Sequence, residues 1–222
     1  MIGNTSAFFK AKHVRAFACV RYTVLMRTVN RKPGRTQDPA LTDRLLTLAL
    51  NRIAHAGLER LNLDRLAREA GTSKQAIYRR YASKSDLGRA AVEAALNALA
   101  IPAPDRSNAA RDVFRLLTAY RQTVFLAPIG RAALHLSLDP AGGAAKHRID
   151  QDLAFRLRQI LIATPFERHM DTRIRLFTSS LWQETVDRMT KPAQPGADLE
   201  DDLDADLEDV IHLVLGLGPK LA

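Results

Sequence analysis

The chain has 222 residues and a formal net charge of +9, from 33 Lys and Arg against 24 Asp and Glu. Hydrophobic residues make up 46% of it and charged residues 26%, which is ordinary for a globular protein with a buried core. A single cysteine, Cys19, excludes a disulfide scaffold and any zinc or iron–sulfur site built from cysteines. No apolar run approaches the roughly 18 to 20 residues that a membrane helix needs, so no membrane partner is expected.

The excess positive charge lies in the first half of the chain. Residues 1–100 carry 18 Lys and Arg against 7 Asp and Glu, whereas residues 101–222 carry 15 against 17. A basic half joined to a near-neutral half favours a protein that binds a polyanion with one part and does something else with the other. The alternative is a basic surface that only keeps the protein in solution.

The first 37 residues contain eight Lys and Arg and no acid, which favours a flexible basic arm. Such arms reach a DNA backbone or minor groove, and a solvated tail is the alternative. The apolar stretch 16–20 is too short for the core of a signal peptide. Met26 is an alternative translation start within this arm, which an intact-mass measurement distinguishes from Met1.

The first predicted helix runs from Pro39 to about Ala56. Apolar residues recur along it at helical spacing, so one face is suited to a core. Asp38 or Thr42 is placed to cap its start, and Gly57 is placed to end it.

Two short helices joined by a tight turn are predicted next. Asn62 caps the first of them, which ends at Gly71. Ser73 caps the second, which we expect to run from about Lys74 to Tyr81. Two short helices joined by a turn that contains glycine are typical of a helix-turn-helix, whose second helix enters the major groove of DNA.

The second of these helices has one apolar and one polar face. Ile77 and Tyr81 lie four residues apart and should face the core, while the opposite face carries side chains that bond base edges and phosphates. A Ser-x-x-Asp capping box then begins a fourth helix and places Lys84 beside free backbone amides. The alternative for each of these residues is an ordinary surface or capping role. The candidate DNA-binding residues are Thr72, Ser73, Lys74, Gln75, Tyr78, Arg79, Arg80 and Lys84.

Segment 66–87 resembles the DNA-binding signature of the TetR/AcrR family of bacterial transcriptional regulators. The positions that match the signature are Leu66, Ala67, Ala70, Gly71, Ser73, Tyr78, Lys84 and Leu87. The segment departs from it at Thr72, where Val is usual, and at Arg80, where His is usual. Ala76 stands where Thr is common, so a hydroxyl that could help to bind DNA is missing.

Residues 101–222 show no strand alternation and predict helices throughout. Amphipathic stripes run over residues 113–124, 129–138, 149–161, 174–189 and 199–217. Acidic residues crowd the start of the last helix, which suits a helix N-terminus and should keep this end away from DNA.

The resemblance implies an all-α fold, with an N-terminal three-helix helix-turn-helix DNA-binding domain at 38–100 and a C-terminal helical ligand-binding and dimerisation domain at 101–222. It implies a homodimer, paired through the last two helices, on a roughly palindromic double-stranded DNA operator. It also implies a pocket for a small-molecule effector of unknown identity. Core packing is the alternative for each residue of the candidate lining, which is Phe114, Tyr120, Phe125, His135, Phe155, Phe177 and Trp182.

No sequence motif points to catalysis. The histidines lack metal-ligand spacing, and no G-x-S-x-G, Walker or dinucleotide motif is present. We therefore expect a protein that is not an enzyme, with no metal and no cofactor, acting as a ligand-responsive repressor in the bacterial cytoplasm and on the nucleoid when bound to DNA. The alternative is a helical ligand-binding protein whose basic half binds RNA or lipids without sequence preference, which a salt series on different DNA sequences distinguishes.

Overall fold

A computed structural model describes residues 38–139, 143–190 and 199–217, and within these ranges all regular structure is helical. The predicted all-α class is therefore confirmed, whereas the basic arm at 1–37 lies outside the described residues. The helices are α1 (Pro39–Ala56), α2 (Leu63–Ala70), α3 (Lys74–Tyr78), α4 (Lys84–Asn97), α5 (Ala109–Tyr120), α6 (Pro128–Ser137), α7 (Ala144–Leu161), α8 (Met170–Thr190) and α9 (Leu199–Leu215). Among the described helices, none is long and apolar enough to span a membrane.

The start and end of α1 are fixed by residues that the sequence singles out. The Asp38 carboxylate accepts a hydrogen bond from the backbone amide of Ala40 at 3.0 Å, so Asp38 rather than Thr42 caps the helix. Gly57 ends it with a φ of 79°, in the left-handed region that favours glycine.

Side-chain caps also define the next three helices. The side-chain oxygens of Asn62, Ser73 and Ser83 each accept a hydrogen bond from the backbone amide three residues later, at 3.0 to 3.1 Å. Ser83 also donates its hydroxyl to the Asp86 carboxylate, which orients the capping side chain at the start of α4. These caps set the two turns that enclose α3.

Helix α3 is shorter than the sequence predicts and ends at Tyr78 instead of Tyr81. The amide of Arg80 bonds the carbonyl of Ile77, three residues back, which tightens the last turn. The chain then passes directly into the cap of α4. Tyr81 still packs against the core from this turn, as its spacing from Ile77 predicts.

Helix α6 packs against both α1 and α4. A Cβ atom added at Gly88 would lie only 2.7 Å from the Leu136 side chain and 3.0 Å from that of Ile53, so glycine allows these three helices to approach closely. One hydrophobic core therefore continues from the first helices into the later ones. The division of the chain at residue 100 stays a prediction.

A short π-helical turn, Arg121–Phe125, joins α5 to α6. A Cβ atom added at Gly130 would lie 2.8 Å from the carbonyl oxygen of Val124, so this turn lies directly against α6. The predicted helix over this region is thus interrupted by a change in hydrogen-bond pattern. The change redirects the chain toward α6 without a break in the backbone hydrogen bonding.

Candidate nucleic-acid interface

Helix α3 presents a polar face to solvent because its one buried side chain, Ile77, anchors the opposite face in the core. Lys74, Gln75, Tyr78 and Arg79 are all exposed, and Tyr78 keeps 48% of its surface accessible. Core packing does not explain why a large aromatic side chain stays exposed on this basic helix. The face offers base-edge donors and acceptors beside phosphate-binding groups.

Lys84, at the first position of α4, lies at the same surface as α3. Lys74, Tyr78 and Lys84 line one shallow depression, together with Arg60 and Asn62 from the chain around the start of α2. Cations around a polar depression beside a helix start are suited to phosphate oxygens. Arg60 was not predicted from the sequence, although its position just before the helix-turn-helix was an available signal.

Two acidic residues, Glu59 and Asp64, line the same depression. Lys74 Nζ and Asp64 Oδ2 are 2.9 Å apart, and both side chains remain exposed. The hydrogen bond that Lys74 donates to Asp64 raises the pKa of Lys74, so its ammonium group stays charged. Contact between Lys74 and a phosphate therefore requires that the ammonium share or leave this carboxylate.

The remaining candidate residues have visible structural roles. Arg80 is half-buried and donates to the Thr42 hydroxyl at 2.9 Å, which ties the end of α3 to the start of α1. Ser73 caps α3, and the amide of Thr72 bonds the carbonyl of Ala67 in the turn. Contact with DNA stays a prediction for these three residues and for the other five candidates.

Most of the candidate ligand-lining aromatics lie in the core of the later helices. Tyr120, Phe125, Phe177 and Trp182 are buried, and the Phe125 and Trp182 rings meet edge to face with centroids 4.8 Å apart. Phe155, in contrast, lies exposed on the outer side of α7 and does not join them. A ligand could reach the buried group only if the packing opened.

The last two candidates lie elsewhere. Phe114 is half-buried and lines a shallow cleft between α5 and α9, with Ile211 on the facing helix. His135 lies on α6, where its ring would be 3.3 Å from a Cβ atom added at Gly57. His135 therefore belongs to the contact between α1 and α6.

Polar groups form a network among α5, α7 and α8. The Tyr120 hydroxyl donates to Asp152, and the Trp182 indole N–H donates to Asp150 at 2.6 Å. Burial and the bond to the Asp152 carboxylate raise the pKa of Tyr120, so the hydroxyl stays protonated. The network anchors two of the candidate aromatics at their polar ends.

His135, at the contact between α1 and α6, is expected to make the stability of the folded protein depend on pH. Partial burial and the charge of Arg131 lower the pKa of His135 below its ordinary value of 6.5. The unfolded chain then binds this proton more tightly than the folded protein, so stability is full above about pH 6.5 and falls as the pH drops toward the folded-state pKa. We expect the melting temperature of His135→Gln to fall less than that of the wild type between pH 7 and pH 5.

The matched variant His147→Gln, on the exposed side of α7, keeps His135 and should follow the wild type. Equal slopes for the wild type and His135→Gln would show that this histidine does not couple folding to pH.

Comparison with known proteins agrees with this geometry. Residues 45–91 match the family model of the bacterial regulatory proteins, tetR family. No curated protein matches the chain. The matched segment contains α2 and α3 with their turn and the start of α4, which is the part that forms the basic surface.

Solved structures extend the likeness to most of the chain. A transcriptional regulator from Rhodococcus sp. Rha1 covers 80% of this chain and 99% of its own, at 20% identity and a TM-score of 0.62. The fatty acid degradation regulator FadR from Bacillus halodurans covers 82% and 98%, at 16% identity and a TM-score of 0.56. A tetR-family transcriptional regulator from Streptomyces coelicolor covers 81% and 93%, at 20% identity and a TM-score of 0.55. At these identities the likeness to solved structures shows a shared fold, and the match at 45–91 identifies the helix-turn-helix segment as similar to that of the tetR family of bacterial regulatory proteins.

Proposed function

We propose that this regulator is a sequence-specific repressor that binds a roughly palindromic operator as a homodimer and leaves it when a small-molecule effector binds. The observation that carries the proposal is the exposed polar face of α3, which presents Lys74, Gln75, Tyr78 and Arg79 to solvent. A helix that only closed a core would not present these groups together. The protein acts on chromosomal DNA in the cytoplasm.

The last two helices support the homodimer. Apolar side chains are exposed on both of them, although neighbouring residues on the same helices are buried. The exposed residues are Leu176, Val186 and Met189 on α8 and Leu213 on α9. Exposed apolar side chains on two adjacent helices are suited to a second copy of the same helices, because a two-fold axis brings one surface against itself.

Repression and release follow from the two-fold arrangement. Two recognition helices fixed about one DNA turn apart engage both half-sites at once. An effector that changes their spacing lowers the affinity for DNA, because the second half-site is then out of reach. The packing of α6 against α1 and α4 gives the later helices direct contact with the DNA-binding helices.

Two substitutions should separate sequence recognition from phosphate binding. Lys84→Ala should weaken binding to every DNA sequence alike and lower the slope of log affinity against log salt by about 1. Gln75→Ala should instead relax the preference at one base pair, which costs about 1 to 3 kcal/mol at the preferred base. Fluorescence anisotropy with an operator duplex and with single-base variants measures both effects.

Arg168→Ala is the matched control, since Arg168 is an exposed cation in the turn before α8, outside both the α3 surface and the two helices of the proposed dimer interface. It should leave DNA binding unchanged. If Gln75→Ala binds all duplexes as the wild type does, the face of α3 does not determine the sequence preference.

A further inference from the structure

A cleft of about 150 Å³ lies between the loop that follows α4, helix α5 and helix α7. Pro102, Leu116 and Ile160 form apolar parts of its lining. Three long polar side chains, Arg115, Arg156 and Gln159, complete it from the two helices. None of the aromatic residues proposed from the sequence as ligand contacts is among these lining residues.

The two arginines are held by bonds that leave donors available. Arg156 donates its Nε to Asp152 at 3.1 Å, and its two terminal nitrogens take no part in that bond. One terminal nitrogen of Arg115 donates to Asp105 at the longer distance of 3.3 Å. A guanidinium group has only donors, and its fork matches the two oxygens of a carboxylate.

The acidic residue at the cleft is already engaged. Asp112 is only 3% exposed, and its carboxylate oxygens accept hydrogen bonds from the backbone amides of Asp105 and Arg106. These bonds attach the loop to α5. Arg106 holds a φ of 63°, unusual for a residue with a side chain, so the cap fixes a constrained loop conformation. Two arginines therefore face the cleft while its one carboxylate is directed into the loop.

The volume of the cleft, about 150 Å³, is suited to a small organic molecule. An apolar protein cavity of about 150 Å³ is known to hold benzene, a six-carbon ring. The cleft is open on one side and has its donors on two helices, so a carboxylate on such a ring would reach the arginines. The geometry points to a binding site for a small organic monocarboxylate, with its apolar part on Pro102, Leu116 and Ile160 and its carboxylate between Arg115 and Arg156.

This site deepens the proposed function, on which it rests, by naming the chemical class of the effector. The loop that forms one wall of the cleft is the continuation of α4, whose other end carries Lys84 at the basic surface. A ligand whose apolar part packs on Pro102 contacts this loop, and through it the end of α4, while its carboxylate joins α5 to α7. Binding in the cleft is thereby coupled to the position of the DNA-binding helices.

The test is calorimetric titration of the full-length protein with benzoate, and with benzamide as its uncharged counterpart. We expect benzoate to bind, and benzamide to bind more weakly by about tenfold or by a larger factor, because only the carboxylate makes charge-assisted bonds. Arg156→Gln and Arg115→Gln should each weaken benzoate binding by about tenfold, toward the affinity of benzamide. Arg148→Gln is the control, since Arg148 lies on α7 and pairs with the same Asp152 but does not line the cleft.

The proposal is overturned if benzoate does not bind, if benzamide binds equally well, or if Arg148→Gln weakens binding as much as Arg156→Gln. The larger acid 1-naphthoate should bind more weakly than benzoate, and the reverse order would contradict the size limit. DNA binding measured on the same samples separates the two claims. If the protein binds its operator but not benzoate, the cleft is not a carboxylate site, while the proposed repressor function stands. If benzoate binds but operator affinity does not change, the cleft binds a carboxylate without regulating DNA binding.

Discussion

Replacement of Arg121 with methionine is expected to lower the free energy of unfolding by about 3 to 5 kcal/mol, which is the usual cost of breaking a buried ion pair. The Arg121 side chain is only 4% exposed and donates to the Glu184 carboxylate at 2.9 to 3.0 Å. This pair joins the π-helical turn to α8. Removal of the arginine leaves the carboxylate largely buried without its principal cation, so the loss exceeds the value of the hydrogen bonds alone. Urea denaturation followed by circular dichroism measures the difference.

Two further variants make this result specific. Arg188→Met removes the other cation near Glu184, but that pair is 3.8 Å apart and Arg188 is exposed, so the cost should stay below about 1 kcal/mol. The double variant Arg121→Met with Glu184→Met should recover much of the lost stability, because no uncompensated charge remains. The ion pair is not important for the fold if Arg121→Met is as stable as Arg188→Met.

If the proposed homodimer forms through α8 and α9, Leu213→Glu is expected to convert it to a monomer and to lower operator affinity by about 100-fold or more. The Leu213 side chain is 82% exposed on α9, and a two-fold axis at this surface would bring two glutamates into one apolar interface. A monomer then loses the gain that comes from binding two half-sites with one linked molecule, which is about 100-fold to 10,000-fold. Light scattering gives the molar mass, and anisotropy with a two-half-site duplex gives the affinity.

Ile162→Glu is the matched control because Ile162 is 58% exposed just after α7 and lies on neither α8 nor α9. It introduces the same charge at an exposed aliphatic residue and should leave both the mass and the affinity unchanged. An undiminished molar mass for Leu213→Glu would place the dimer interface on another surface.

Local signals explain why the helices could be predicted closely. Asn62, Ser73 and Ser83 act as caps over a span of three residues, and that information is contained in the adjoining sequence. The end of α3 was predicted wrongly because Tyr81 keeps the helical spacing of a buried residue while it already belongs to the turn. Apolar spacing predicts burial, but it does not show where the hydrogen bonds change pattern.

The interior of the later helices was less predictable because its contacts join distant parts of the chain. Arg121 and Glu184 are 63 positions apart, and no local pattern pairs them. Phe155 is a different case. Phe155 was predicted as a lining residue, but it lies two positions after the buried Leu153, off the stripe that continues through Leu157, and its side chain is exposed.

Sequence-specific DNA binding by a dimer is tested by selection of bound sequences from a random double-stranded DNA library with the purified full-length protein. We predict the enrichment of one motif with two-fold symmetry, whose half-sites lie about one DNA turn, or about 10 base pairs, apart. The enriched motif would supply the operator for the variants at Gln75, Lys84 and Leu213. Recovery of no motif, with an affinity set by salt and duplex length alone, would contradict the account and leave the basic half as a surface for polyanions in general.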